Sequence, residues 1–165
     1  MKNKNVLFTT QAAIIAALYV ILTFLAAAFG LSSGVIQVRF SEALTILPLF
    51  TPAAVPGLFL GCLISNLLTG ACLVDVIFGS LTTLAAAVIS YKIRKLKYGV
   101  CIPPILANTL IIPWILRYGY GMTNDSVPFM MLTVGAGEVI SCGVLGCILL
   151  TALFKYRKTI FRNDI

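Results

Sequence analysis

The residues with the clearest chemical potential in this sequence are a few ionisable and amide side chains within or beside long apolar stretches. They are Arg39, Glu42, Asn66, Asp75, Asn108, Arg117 and Glu138. Carboxylates accept hydrogen bonds, guanidinium groups donate them, and amides do both, so such a set can hold a polar small molecule. The chain has no histidine, and its five cysteines form no CxxC pair. Ser-His-Asp catalysis and the usual zinc sites are therefore excluded, and we predict no catalytic residue, metal or cofactor.

The composition that surrounds these residues is that of a membrane protein. Of the 165 residues, 60% are hydrophobic and only 10% are charged, and the mean hydropathy is +1.05. A spanning helix needs about 20 mostly apolar residues, so the chain has room for roughly six spans with short loops. We predict a single transmembrane domain over residues 1–165, surrounded by membrane lipid.

The basic residues indicate the topology. They cluster near the N-terminus, in the middle and near the C-terminus, as Lys2, Lys4, Lys92, Arg94, Lys95, Lys97, Lys155, Arg157, Lys158 and Arg162. Basic clusters at the ends of apolar segments are typical of cytoplasmic loops. Because this explains the net charge of +7, no basic face remains for nucleic acid.

An even number of crossings places all three clusters on one side. We predict helices at about 6–30, 37–50, 54–70, 74–93, 99–118 and 128–154. Five or seven helices would divide the clusters between the two sides. The predicted fold is therefore an all-α membrane protein, a compact bundle of six transmembrane helices with cytoplasmic N- and C-termini.

On this topology the polar residues gather in the outer half of the membrane. Arg39 and Glu42 begin the second helix, Asn66 lies near the end of the third, and Asp75 opens the fourth. Glu138 lies about ten residues, or roughly 15 Å, into the sixth helix. A charge at the bilayer centre costs about 2.5–3.5 kcal/mol even on the lenient insertion scale, so it usually faces a partner or a cavity. The pattern predicts a binding pocket that opens to the outside.

Structural roles compete with this interpretation. Arg39 and Glu42 are three residues apart on one helical face and can neutralise each other. Asn66 and Asn108 can form hydrogen bonds between helices. Glu138 is the hardest of these residues to explain by structure alone, because it lies deep in an apolar segment.

Small residues form two stripes with a spacing of four. They are Ala12, Ala13, Ala16 and Ala17 on the first helix, and Gly57, Gly61 and Ser65 on the third. This spacing lets helix backbones approach closely. The stripe on the third helix predicts packing within the bundle. The stripe on the first helix, near its cytoplasmic end, either packs within the bundle or receives a partner protein.

Three segments carry a resemblance to a known family. They are IQVRFSEALTILPLFTPAAVPGLFLGCLISNL (36–67), ANTLIIPWILRYGYG (107–121) and GEVISC (137–142). These segments resemble the QueT family, the substrate-binding (S) components of energy-coupling factor (ECF) transporters that import queuosine precursors. The resemblance implies a six-helix subunit of the bacterial cytoplasmic membrane that captures its ligand from outside. It further implies docking on a transmembrane coupling protein that carries two ATPase subunits.

The resemblance implies 7-aminomethyl-7-deazaguanine, or a related deazapurine, as the ligand. One carboxylate can accept both donors of its guanine-like edge, and we assign this role to Glu138. The O6 atom needs a donor, such as an asparagine amide or an arginine, and we assign this role to Asn108 or Asn66. We assign the ammonium group to either Glu42 or Asp75.

Two aromatic residues complete the predicted ligand site. Phe40 and Trp114 are candidates for the walls that face the flat ring, although Trp114 with Tyr118 and Tyr120 also fits an aromatic belt at the membrane surface. In S components an AxxxA motif on the first helix contacts the coupling protein. Both alanine pairs of the first helix match this motif.

Two other functions remain open at this point. A stand-alone, proton-coupled secondary transporter of a nucleobase-like or vitamin-like solute would use Glu138, although six short helices without repeats would make a small carrier. A membrane enzyme would need a carboxylate pair such as Asp75 and Glu138. We predict a transport subunit and no enzyme. The chain has no GxxxxGKS or GxxxxGKT motif, so ATP hydrolysis is expected in separate subunits.

Overall fold

The structure of the protein is a computed structural model that describes residues 4–31 and 36–160. These residues form six helices and their connections, without a strand among them. Helix 1 spans Lys4–Ala28, helix 2 spans Phe40–Leu49 and helix 3 spans Ala54–Leu68. Helix 4 joins Asp75–Gly79 to Ser80–Lys92, and helix 5 joins Arg94–Cys101 to Ile102–Gly119. Helix 6 joins Val127–Glu138, Val139–Leu145 and Gly146–Ile160. The prediction of an all-helical fold with six helices is confirmed.

Three helices are long and apolar enough to cross a membrane. They are Lys4–Ala28, Arg94–Gly119 and Val127–Tyr156, with 25, 26 and 30 residues. Their outer surfaces are apolar; on helix 1, for example, Ile14 and Ile21 are more than half exposed. Helices 2 and 3 have only 10 and 15 residues. The crossing of all six helices, with both termini cytoplasmic, stays a prediction.

Helix 2 is a 3-10 helix, at a position where the sequence predicts a short helix, tilted or partly re-entrant, that the segment TPAAVPG (51–57) ends. Pro48 lies inside it and removes a backbone donor. A 3-10 helix rises about 2.0 Å per residue, so helix 2 is roughly 20 Å long, shorter than the bilayer core of about 30 Å. Every residue of 41–48 is buried. Helix 2 therefore runs through the centre of the protein, and it packs on helices 1, 3, 4, 5 and 6.

Helices 1 and 3 are in backbone contact through small residues. A Cβ added at Gly61 would lie 2.6 Å from the Tyr19 Cβ atom and 3.1 Å from the Ala16 Cα atom. A Cβ at Gly57 would lie 2.8 Å from the carbonyl oxygen of Ala12. The glycine stripe of helix 3 therefore packs within the bundle, as its spacing predicts.

The two alanine pairs of helix 1 have different environments. Ala12 and Ala16 are each 7% exposed and face helix 3. Ala13 and Ala17 are exposed. The fold uses the first pair for its own packing and leaves the second pair on the surface.

Two helices contain π-helical turns. One turn, Asp75–Gly79, opens helix 4, and the other, Val139–Leu145, directly follows Glu138 in helix 6. Such turns occur frequently at functional sites. Both turns adjoin acidic residues that the sequence marks as site candidates.

Candidate functional site

A cavity of about 230 Å³ lies where helices 1 and 3 end and helix 4 begins. Its lining includes three of the predicted site residues, Arg39, Asn66 and Asp75. Tyr19 and Ser41 line it as well. The fold therefore brings a cation, an amide and a carboxylate to one concave surface.

The cavity and the clustered lysines Lys4, Lys92 and Lys155 are at opposite ends of the bundle. Lys4 begins helix 1, Lys92 ends helix 4 and Lys155 lies near the end of helix 6. The cavity instead takes Ala26 and Ala27 from the end of helix 1, together with the start of helix 4. On the predicted topology, this end faces the outside.

Asp75 is the acidic residue of the described cavity lining, and only one of its two carboxylate oxygens accepts a hydrogen bond from a described residue. It is 6% exposed, and its Oδ2 atom accepts a hydrogen bond of 2.9 Å from the hydroxyl of Tyr120. Its Oδ1 atom has no partner among the described residues. A Cβ at Gly79 would collide with this oxygen, so the glycine makes room for the carboxylate. Asn66 donates to the carbonyl oxygen of Asp75 over 3.3 Å.

Arg39 supplies the positive charge of the cavity, and helix 6 holds the segment that carries it. The backbone N–H of Arg39 donates to Oγ of Ser141 over 3.0 Å. A Cβ at Gly137 would collide with the carbonyl oxygen of Gln37, so the backbone of this segment rests directly on helix 6. The guanidinium group interacts electrostatically with Asp75. Opposite charges on the lining suit a ligand that carries both donors and acceptors.

Glu42 and Glu138 belong to a buried network beside the cavity and are not among its described lining residues. Glu42 is 2% exposed, and its Oε1 atom accepts a hydrogen bond of 2.5 Å from the hydroxyl of Tyr19. Glu138 is 7% exposed and accepts hydrogen bonds of 2.9 Å from Nδ2 of Asn108 and 3.2 Å from Sγ of Cys142. The network connects helices 1, 2, 5 and 6, and Tyr19 links it to the cavity.

The two carboxylates of this network are close together. An oxygen of Glu42, an oxygen of Glu138 and the sulfur of Cys142 lie within 4.8 Å of one another, a spacing that a metal ion would accept. The sequence predicts no metal, and that stays a prediction. The hydrogen bonds from helices 1 and 5 fix both carboxylates beside the cavity.

The two aromatic site candidates, Phe40 and Trp114, are not among the described residues that line the cavity. Phe40 is half-buried, and Trp114 is 46% exposed. Trp114 stacks on Tyr118, with ring centroids 6.1 Å apart and planes at 7°. This position fits the aromatic-belt interpretation. Tyr120 does not fit the aromatic-belt interpretation, because its hydroxyl donates a hydrogen bond to Asp75.

Tyr19 and Ser41 line the cavity without being among the predicted site residues. The sequence does contain a signal that could have identified Tyr19. This residue lies three positions after Ala16, on the face of helix 1 that carries the buried small residues. A buried tyrosine hydroxyl usually needs a partner, and this one finds Glu42. For Ser41 the residue pattern gives no signal, because a serine between two charged neighbours fits any loop or cap.

Comparison with known proteins gives one family and one named relative. The chain matches the QueT transporter family over residues 9–155. It is 42% identical over 84 residues to the queuosine precursor transporter QueT of Lactococcus lactis subsp. cremoris (strain MG1363). That match covers 51% of this chain and 49% of the relative, about half the length of each. No solved structure matches the chain. Because the family match extends over most of the 165 residues, the chain belongs to the QueT transporter family.

Proposed function

We propose that this chain is the substrate-capture subunit of an ECF-type, ATP-driven importer in the bacterial cytoplasmic membrane. It binds a queuosine precursor, 7-aminomethyl-7-deazaguanine or a related deazapurine, from the outer face. Family membership and the name of the Lactococcus lactis relative, a queuosine precursor transporter, support transport of such a compound. The capture role depends on one observation, the charged cavity at the end of the bundle opposite Lys4, Lys92 and Lys155.

The charges on the cavity lining suit this ligand. A desolvated ammonium group needs an anionic partner, and Asp75, with its unpartnered Oδ1 atom, supplies one. Arg39 offers donors for the O6 atom, whereas the amide nitrogen of Asn66 already donates to the Asp75 carbonyl oxygen and to Sγ of Cys62. Glu138 lies beside the cavity and not on its described lining, so its assignment to the guanine-like edge stays a prediction.

The size of the cavity also suits a small base. A water molecule occupies about 30 Å³ in the liquid. A cavity of about 230 Å³ therefore corresponds to roughly eight waters, which is the scale of a bicyclic base with a short substituent. The bound base is expected to leave the subunit chemically unchanged.

Calorimetric binding to the purified chain in detergent tests the substrate assignment. We expect 7-aminomethyl-7-deazaguanine to bind more tightly than guanine, because guanine lacks the ammonium group that Asp75 would hold. Queuine serves as a competitor with the same guanine-like edge and a bulkier substituent. If the chain binds no deazapurine at all, the substrate assignment is wrong, while the fold and the family membership stand.

Docking on a coupling protein is expected to use the exposed alanines of helix 1. We predict that Ala13→Leu and Ala17→Leu strongly reduce uptake of the ligand by cells and leave its affinity for the purified chain unchanged. Added methylene groups would separate the two proteins where small residues permit backbone contact. Uptake of the radiolabelled base by cells, compared with calorimetric affinity, is the measurement.

A matched control lies on the same face of helix 1. Ala28 is exposed and follows Ala17 by eleven residues, which is about three turns and roughly 16 Å along the axis. Ala28→Leu should leave uptake unchanged.

Deletion of the ATPase subunits tests the dependence of uptake on ATP hydrolysis. Uptake should stop when these subunits are deleted, and uptake that persists without them would identify a stand-alone carrier instead.

A further inference from the structure

Ser41 is a buried polar residue of the described cavity lining that the proposed function does not yet use. It is 1% exposed, and its Oγ atom has no hydrogen-bond partner in the described part of the chain. A buried hydroxyl without a partner is unfavourable, and such groups usually have a protein or water partner. We propose that Ser41 is a specificity-determining ligand contact whose hydroxyl hydrogen-bonds the polar edge of a heteroaromatic base. This inference rests on the proposed function, because it assigns a role to Ser41 at the same site.

The other hydroxyl groups of the described cavity lining are already engaged within the chain. Two of these hydroxyls donate to carboxylates, that of Tyr19 to Glu42 and that of Tyr120 to Asp75. The other three donate to backbone carbonyl oxygens: Thr23 to that of Tyr19, Ser65 to that of Cys62, and Thr69 to that of Ser65. Among the described lining residues, Ser41 is therefore the hydroxyl that remains available. An unpartnered hydroxyl alone does not mark a ligand contact, since Ser80 has one too. Ser41 differs from Ser80 because it lines the cavity.

The backbone around Ser41 is fixed from both sides. The N–H of Arg39 donates to Ser141 over 3.0 Å. The carbonyl oxygen of Glu42 accepts hydrogen bonds from Oγ1 of Thr45 over 2.6 Å and from Sγ of Cys142 over 3.4 Å. The hydroxyl is thus attached to a rigid element before any ligand arrives. Preorganisation of this kind reduces the entropy that binding would otherwise lose.

Among the described lining residues, Ser41 Oγ and Asp75 Oδ1 are buried oxygens without a hydrogen-bond partner. Their different chemistry suits them to different ends of the ligand. The Oδ1 atom of Asp75 belongs to a carboxylate and suits the cation. The Ser41 hydroxyl is neutral and offers one donor and two acceptor lone pairs, so it suits an edge with adjacent N–H and carbonyl groups. Ser41 therefore recognises the ring and Asp75 recognises its charged substituent.

The test compares two ligands that share this edge. One is 7-aminomethyl-7-deazaguanine, and the other is 7-deazaguanine, which lacks the aminomethyl group. We expect Ser41→Ala to weaken the binding of both to the purified chain by the same factor, about tenfold, because each loses one hydrogen bond. Ser41→Cys, which keeps the shape of the side chain but is somewhat larger and has a weaker donor, should show the same direction. Thermal unfolding in the absence of ligand verifies that both variants fold.

Ser80 provides the matched control. It is 1% exposed and its hydroxyl has no partner in the described part of the chain, but it is not among the described lining residues of the cavity. Ser80→Ala should change the affinity by less than about twofold. If Ser41→Ala binds both ligands as tightly as Ser80→Ala does, the inference is wrong and the proposed function stands. A loss confined to the aminomethyl ligand would overturn the ring-edge assignment. If the unmodified chain binds neither ligand, the proposed function and this inference fail together.

Discussion

Asp75→Asn is expected to weaken the binding of 7-aminomethyl-7-deazaguanine by about 2–5 kcal/mol, the scale for truncating one partner of a buried charged pair. Asp75 is 6% exposed, and Tyr120 holds one of its oxygens while the other has no partner among the described residues. Asparagine keeps the size of the side chain but removes the charge that an ammonium group needs. Calorimetry with 7-deazaguanine should show a much smaller loss, because that base carries no ammonium group.

Asp125→Asn is the control for this substitution. Asp125 is exposed in the connection between helices 5 and 6, and its charge is not part of the cavity lining. We expect its removal to leave the affinity unchanged. Equal losses in both variants would indicate a general effect of net charge. Normal binding by Asp75→Asn would show that the ammonium group is held elsewhere, with Glu42 as the remaining predicted partner.

Gly137→Ala is expected to lower both the stability of the protein and its affinity for the ligand. The added Cβ would collide with the carbonyl oxygen of Gln37, which is a backbone atom and cannot simply rotate away. Overpacking of this kind costs about 1–3 kcal/mol and occasionally more. Because Gln37 and Arg39 both line the cavity, displacement of their segment would also move the guanidinium group. Thermal unfolding and calorimetric binding of the purified variant measure the two effects.

Gly143 offers the matched control in the same helix. The atoms nearest to a Cβ added there are side-chain atoms of Val139 and Ile105, at 3.7 and 3.9 Å, which is ordinary contact. Gly143→Ala should therefore be neutral or slightly stabilising, since alanine has the higher helix propensity. If Gly137→Ala unfolds and binds like Gly143→Ala, the contact between helix 6 and the Gln37 segment does not position Arg39.

The number of helices was predictable from the sequence because it depends on apolar length and on the placement of lysine and arginine. Helix 1, for example, is predicted at about 6–30 and observed at Lys4–Ala28. The 3-10 geometry of helix 2 and the two π-helical turns were not predictable in this way. Apolar periodicity does not separate such variants when nearly every residue in a segment is apolar.

The candidate site was predictable in composition but not in arrangement. Arg39, Asn66 and Asp75 line one cavity, whereas Glu42, Asn108 and Glu138 lie in the network beside it. The difference depends on the rotation of each helix about its axis, and polar residues in an almost wholly apolar sequence leave that rotation undetermined. Trp114 shows the same limitation, since its depth in helix 5 is predictable and the direction of its ring is not.

The central position of helix 2 has a consequence for biogenesis. Helix 2 is roughly 20 Å long, contains Glu42 and directly follows Arg39, so it is poorly suited to enter the bilayer as an independent insertion unit. The polar partners of this segment come from helices 1 and 6, with Tyr19 on one side and Ser141 and Cys142 on the other. We therefore expect helix 2 to reach its final position only after helix 6 has entered the membrane. On the proposed function, a partly synthesised chain is then expected not to bind the ligand.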